Sequence, residues 1–147
     1  MRRMLIEKGA AQMQDTTFAT SATPAATLAV ESRRAFDILR LGFTVAPILF
    51  GLDKFFEVMT EWVDYLPGFV TDAVSGTTVM AVVGVIEIAA GIGVWLRPRI
   101  FAPVVAAWLG LIVVNLILAG GYLDVALRDF GLALGALALW RLSLAHD

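Results

Sequence analysis

Apolar residues in this chain fall into four long runs, each close to the roughly 20 residues that span a bilayer core. They extend from about Ile38 to Val58, Thr77 to Leu96, Ile100 to Ala119 and Tyr122 to Leu142. Each is long enough for a helix, and a helix satisfies its own backbone hydrogen bonds in lipid. The pattern predicts an all-α membrane protein, a four-transmembrane-helix bundle. Pro47 lies inside the first run and is expected to kink it. The connections Arg97-Pro98-Arg99 and Gly120-Gly121 are so short that the last three helices must be sequential antiparallel neighbours. Residues 1–34 are mixed, rich in Ala, Thr and Ser, and show no sustained apolar face; they are expected to be a flexible tail, leaving 35–147 as the membrane domain.

Composition agrees with this pattern. Hydrophobic residues make up 59% and charged residues 16%, with mean hydropathy +0.82, whereas a soluble domain is nearer a quarter charged. The charges are segregated. Arg33, Arg34 and Arg40 precede or open the first run, Arg97 and Arg99 flank the turn after the second, and Arg141 ends the fourth. The connection after the first run is acidic, with Asp53, Glu57, Glu61, Asp64 and Asp72 opposed by Lys54 alone. The positive-inside rule then places both termini in the cytoplasm. That connection also carries Phe55, Phe56, Trp62, Tyr65 and Phe69, which suits an amphipathic segment lying at the outer interface.

Several chemistries are excluded. There is no cysteine, so thiolate catalysis and cysteine-ligated clusters are impossible. The single histidine, His146, is next to last in the chain, which leaves no histidine for a haem or metal inside the membrane. No metal site is expected. No basic patch interleaved with aromatics suggests nucleic acid. No nucleophile–base pair is visible, so an enzyme would depend on a bound cofactor.

The candidate chemistry lies in the charges inside the apolar runs. Glu87 sits in the middle of the second run, nine residues from Leu96 and ten from Thr77. A carboxylate at that depth normally faces a protein interior and has a partner. Lys54 comes fourteen residues after Arg40, which puts it on the order of 20 Å from the inner surface. Asn115 is near the outer end of the third run, and Arg128-Asp129 near the outer end of the fourth. Every helix thus contributes a polar group to the outer half. Gly84, Glu87 and Gly91 share one helical face, and Asp124, Arg128, Gly131 and Gly135 share another. Asp124 is placed to pair with Arg128, while Asp129 points roughly 100° away and needs another partner, such as Lys54 or the outer surface.

These residues have plain structural readings. A buried Glu with Arg and Asn can lock helix register at some cost in stability. Asp53 and Lys54 read most simply as boundary charges, with Lys54 snorkelling outward. Asn115 reads as interhelical glue, and the glycines as packing positions that serve one bundle or a homo-oligomer equally well. The sharper reading is a polar pocket open to the outer half, with Lys54, Glu87, Asn115, Arg128 and Asp129 around a quinone ring or lipid headgroup. In that setting Glu87 could carry a proton.

Phe50-Gly-Leu-Asp-Lys-Phe55, then Gly84-Val-Ile-Glu87 with Gly91, then Leu127-Arg-Asp129 resemble the pattern of the DoxX/DoxD-like membrane proteins over roughly residues 36–143. The resemblance implies a four-helix bundle in the bacterial inner membrane and an association with redox systems; Gly51, Lys54, Glu87, Arg128 and Asp129 are the positions it carries over. The absence of Cys removes the thiol chemistry some relatives use. The expectation is an accessory or scaffold subunit of a quinone-linked or respiratory assembly, non-catalytic itself, with other membrane or periplasmic redox subunits as partners. The alternative is a small proton-coupled carrier using Glu87. Its weakness is the inner half, which offers no polar route from Glu87 to the cytoplasm.

Overall fold

A computed structural model describes residues 23–147. The described chain is helical, without a strand. Helix α1 spans Pro24–Phe56; a short 3-10 turn covers Trp62–Tyr65, and α2 covers Gly68–Ala73. Three long helices follow: α3 at Gly76–Leu96, α4 at Pro98–Ala119 and α5 at Leu123–His146. By length and composition α1, α3 and α4 are each able to cross a membrane, which makes the chain a multi-pass membrane protein. Helix α5 is as long, but Asp124, Arg128, Asp129 and Arg141 interrupt its apolar character.

Helix α1 corrects both expected ends of the first segment. It begins at Pro24, so residues 24–34 are helical, although they were expected to belong to the tail. Proline at the first helical position is pre-set for the helix and lacks only an N–H that would have no partner. Thr23 carbonyl accepts from Ala26 and Thr27, and the alanines that follow are strong helix formers. The remainder of the tail, residues 1–22, lies outside the described residues. The described residues before Arg33 belong to a unit separate from the compact unit Arg33–Asp147.

The other end stops at Phe56, before Val58. Glu57 has φ 51, a left-handed conformation that ends the helix. Pro47 is carried inside the unbroken helix. At the far end of α3 a single residue, Arg97, closes one helix and opens the next, with Pro98 at the first position of α4. Between α4 and α5, Gly120 and Gly121 take φ of 73 and 95, which favour residues without a Cβ.

The core of the compact unit is built from mostly small side chains on four helices. Phe36 of α1, Ala90 and Val94 of α3, Ala102, Val105 and Ala106 of α4, and Ala136 and Leu139 of α5 form one cluster. The buried face of α3 repeats at Met80, Gly84, Glu87, Gly91 and Val94, a spacing of three and four residues. The face expected from Gly84, Glu87 and Gly91 is therefore the inward one.

The expected face of α5 is rotated. Asp124, Arg128 and Gly131 are exposed, and the buried positions are Ala126, Asp129, Ala136, Leu139 and Ser143. The apolar residues of α5 occur on all sides, so glycines alone do not mark the packed side. Its buried positions instead follow Ala126, Ala136 and Leu139, which have small or well-packed side chains.

Candidate functional site

Two helices meet backbone to backbone where the site is built. A Cβ on Gly51 of α1 would lie 2.6 Å from the carbonyl oxygen of Gly84 in α3, and a Cβ on Gly84 would lie 2.6 Å from that of Gly51. Seven residues away along both helices, a Cβ on Gly91 would lie 2.7 Å from the Thr44 carbonyl. The absence of side chains lets α1 and α3 run antiparallel in direct contact.

Lys54 and Glu87 each follow one of the contacting glycines by three residues. The close approach brings them together: Lys54 Nζ donates to Glu87 Oε2 at 2.7 Å. Their side chains are only 4% and 10% exposed. The boundary reading of Lys54 is therefore overturned. Its ammonium turns inward because Glu87 lies one helical turn along α3, within reach of a side chain that would otherwise snorkel.

The connection after α1 covers this pair. Lys54 Nζ lies 3.8 Å from the centroid of the Trp62 ring, a cation–π contact. Trp62 is held in place by its neighbour Asp53. The Asp53 carboxylate accepts from the Trp62 indole N–H at 2.8 Å, from Val58 N–H at 3.0 Å, and from Met59 N–H at 3.1 and 3.2 Å. Asp53 is buried and stabilises the left-handed Glu57 turn through these bonds. It thus shapes the segment that caps the ion pair, which is more than a boundary charge does.

The rest of the cap is aromatic. Trp62 packs against Phe50 at 6.1 Å and Tyr65 at 6.0 Å, and Tyr65 stacks on Tyr122 at the start of α5 with ring centroids 4.7 Å apart. Asn115 Nδ2 donates to the Tyr65 carbonyl at 2.8 Å and ties α4 to the same segment. The hydrophobic side chains of Val58, Met59, Phe69 and Val74 are left exposed.

The five residues expected around one pocket form three separate contacts. Lys54 binds Glu87, Asn115 binds the Tyr65 backbone, and Arg128 Nε binds Asp129 Oδ1 at 3.1 Å. Among the described residues no hydrogen bond joins Asn115 or Arg128 to Glu87. Two details differ from expectation. Arg128 pairs with Asp129, its chain neighbour, rather than Asp124, because α5 is rotated to bury Asp129 and leave the Arg128 side chain 60% exposed. Glu87 has Trp108 of α4 beside it, whose buried indole N–H has no partner meeting hydrogen-bond geometry.

Trp62, Trp108 and the clamping role of Asp53 were missed from the sequence. The signal for Trp62 was its place in an aromatic connection nine residues after Asp53, but nothing in that spacing shows a tryptophan folding back onto a lysine.

A shallow apolar groove of about 340 Å³ lies on the outer side of α3, lined by Phe55, Thr78, Ala81, Val82, Val85 and Ile86. Neither Lys54 nor Glu87 lines it. The described residues contain no group of three or more acidic or histidine side chains able to hold a metal ion.

Chemically, the buried charges of this arrangement are paired. The buried ammonium has a carboxylate and an aromatic face, and the buried Asp53 carboxylate has backbone and indole donors. Such a site fixes two helices and a capping segment against one another. In comparisons with known proteins, the chain matches no family model, no curated protein and no solved structure.

Proposed function

We propose that this protein is a non-catalytic accessory or scaffold subunit of a membrane redox assembly. In this reading α5 crosses the bilayer with α1, α3 and α4, completing a four-helix transmembrane bundle in a bacterial inner membrane. Both termini lie in the cytoplasm, because Arg33, Arg34, Arg40, Arg97, Arg99 and Arg141 gather at one end and the acidic connection at the other. The aromatic cap then sits at the outer interface.

The observation that carries the reading is the pairing of Glu87 with the buried Lys54 ammonium, which Trp62 covers. A proton carrier needs a carboxylate that is free to exchange, whereas this one is engaged by a cation and covered. The pair instead gives α1, α3 and the cap a fixed arrangement, and the cap presents exposed Val58, Met59 and Phe69 among Glu57, Glu61 and Asp64. Such a surface suits a partner subunit at the outer interface. The redox assignment comes from the DoxX-like motifs, and a quinone or lipid beside the bundle accords with the apolar groove on α3.

The test is recovery of partners from native membranes in mild detergent, followed by mass spectrometry. Stoichiometric oxidoreductase subunits are expected with the wild-type chain. Glu87→Gln should insert normally and recover fewer partners. Equal recovery, together with unchanged oxidoreductase activity in the membranes, would refute the scaffold reading.

A further inference from the structure

The outward face of α5 carries two opposite charges that do not pair with each other. Asp124, Leu127, Arg128, Gly131 and Leu134 recur at three- and four-residue spacing and are exposed. Among the described residues Asp124 makes no ion pair or hydrogen bond. Arg128 makes one: its Nε donates to Asp129 Oδ1 at 3.1 Å. The Asp129 side chain is 10% exposed, whereas that of Arg128 is 60% exposed.

That single bond fixes the arginine. A guanidinium has five N–H donors, and with Nε held by a buried carboxylate the Nη groups have no partner among the described residues. Arg128 comes five residues after Leu123, where α5 begins, or roughly 8 Å below the outer end of a spanning helix. Its bond to Asp129 holds it back from the headgroups, and acyl chains offer no acceptor. Lipid covers Leu127 and Leu134 well, but it leaves these two charges without partners. The same face supplies what they need, because Asp124 is an acceptor one turn nearer the outer end. Side chains lean toward the helix N-terminus, so an arginine at 128 reaches the level of position 124 on a parallel helix beside it. Gly131, where an added Cβ would meet nothing within 4 Å, lets two such helices approach closely.

We propose that this face binds α5 of a second copy of the protein. The proposal rests on the reading in which α5 crosses the bilayer, and not on the redox assignment. Both copies then share one orientation, and a two-fold axis along the membrane normal sets their α5 helices parallel. Arg128 of each copy donates to Asp124 of the other, so each guanidinium lies between that carboxylate and its own Asp129. The face is self-complementary because it carries one charge of each sign, one turn apart. A lipid phosphate would serve Arg128 but be repelled by Asp124.

The chain has no cysteine, so a single introduced one forms disulfides only between copies. Full-length L127C and L134C in native membranes should give dimers on mild oxidation with copper phenanthroline. V85C on α3 and L111C on α4, which replace equally exposed residues, should not. D124R puts two cations on the face and R128D two carboxylates; either one, combined with L134C, should lower the dimer yield by on the order of tenfold. Co-expressed and distinguished by a size tag, D124R/L134C and R128D/L134C should cross-link to each other at the yield of L134C alone, a rescue that pairing within one chain does not produce. Similar yields at all four cysteine positions, L127C and L134C that stay monomeric, or co-expressed chains that fail to cross-link would overturn the interface. A face covered by lipid or by a different subunit gives the second of these results. Labelling of L134C by a membrane-impermeant maleimide would instead overturn the transmembrane placement of α5.

Discussion

Replacing Lys54 or Glu87 alone should damage the protein far more than replacing both. The two groups are 2.7 Å apart and their side chains are 4% and 10% exposed. At an effective dielectric of about 20, opposite charges at that distance attract by roughly 6 kcal/mol. Desolvation of the two ions costs several kcal/mol each, so the net contribution of the pair lies near zero. A single substitution removes the attraction and leaves the other desolvation cost in place. Lys54→Met and Glu87→Met should therefore each destabilise by about 3–5 kcal/mol, and the double variant should return to within about 1 kcal/mol of wild type or exceed it. Lys54→Met also removes the contact with Trp62 at 3.8 Å, worth up to about 2 kcal/mol when desolvated, and should be the worse of the two. The assay is reversible unfolding by SDS titration in mixed micelles, followed by circular dichroism. Additive losses, leaving the double variant less stable than either single one, would refute this account. So would a Lys54→Met effect no larger than an exposed substitution.

Two further substitutions test the surroundings of the pair. Gly84→Ala places a Cβ 2.6 Å from the Gly51 carbonyl, and the helices must separate; a loss of about 1–3 kcal/mol is expected. The same change at Gly42, where a Cβ meets nothing within 4 Å, should be neutral or stabilise by about 0.5–1 kcal/mol. Similar effects at both sites in SDS titration would argue against a close helix contact. Asp53→Ala removes the acceptor of the Val58, Met59 and Trp62 N–H bonds and should cost about 1–3 kcal/mol. It should also release Trp62 from Lys54, read as a shift in Trp62 emission obtained by difference from Trp62→Phe. An unchanged emission maximum would show that Asp53 does not hold the indole.

Length and hydropathy made the long helices legible, and the three- and four-residue spacing of Gly84, Glu87 and Gly91 located the inward face of α3. The same reasoning misjudged α5 because its leucines occur on every side; small residues then have no unique partner, and the choice of face depends on how α5 meets its neighbours. The start of α1 was missed for a different reason. Thr and Ala near Pro24 have low hydropathy, but helix formation there depends on backbone propensity and the proline start, which hydropathy does not measure. Lys54 was misread because a lysine near a helix end has two exits, outward to water or inward to a carboxylate. Only the distance between α1 and α3 decides which one it takes.

That distance links the glycines to the charges. Gly51 and Gly84 touch through their backbones, and Lys54 and Glu87 each follow three residues later on antiparallel helices, so the side chains extend toward each other across the seam. A Cβ at either glycine would push the helices apart and stretch the ion pair, leaving both charges buried at a separation where attraction no longer offsets desolvation. Trp62 closes the same seam from outside, and its hydrogen bond to Asp53 means that the residue preceding Lys54 positions the ring covering Lys54. The motif Phe50-Gly-Leu-Asp-Lys-Phe55 therefore works as one unit: Gly51 sets the spacing, Asp53 folds the cap, and Lys54 makes the bond. Within this unit Lys54 leaves Glu87 paired with a buried cation, and the proposed scaffold role, as opposed to a carrier whose carboxylate must load and release a proton, rests on that pairing.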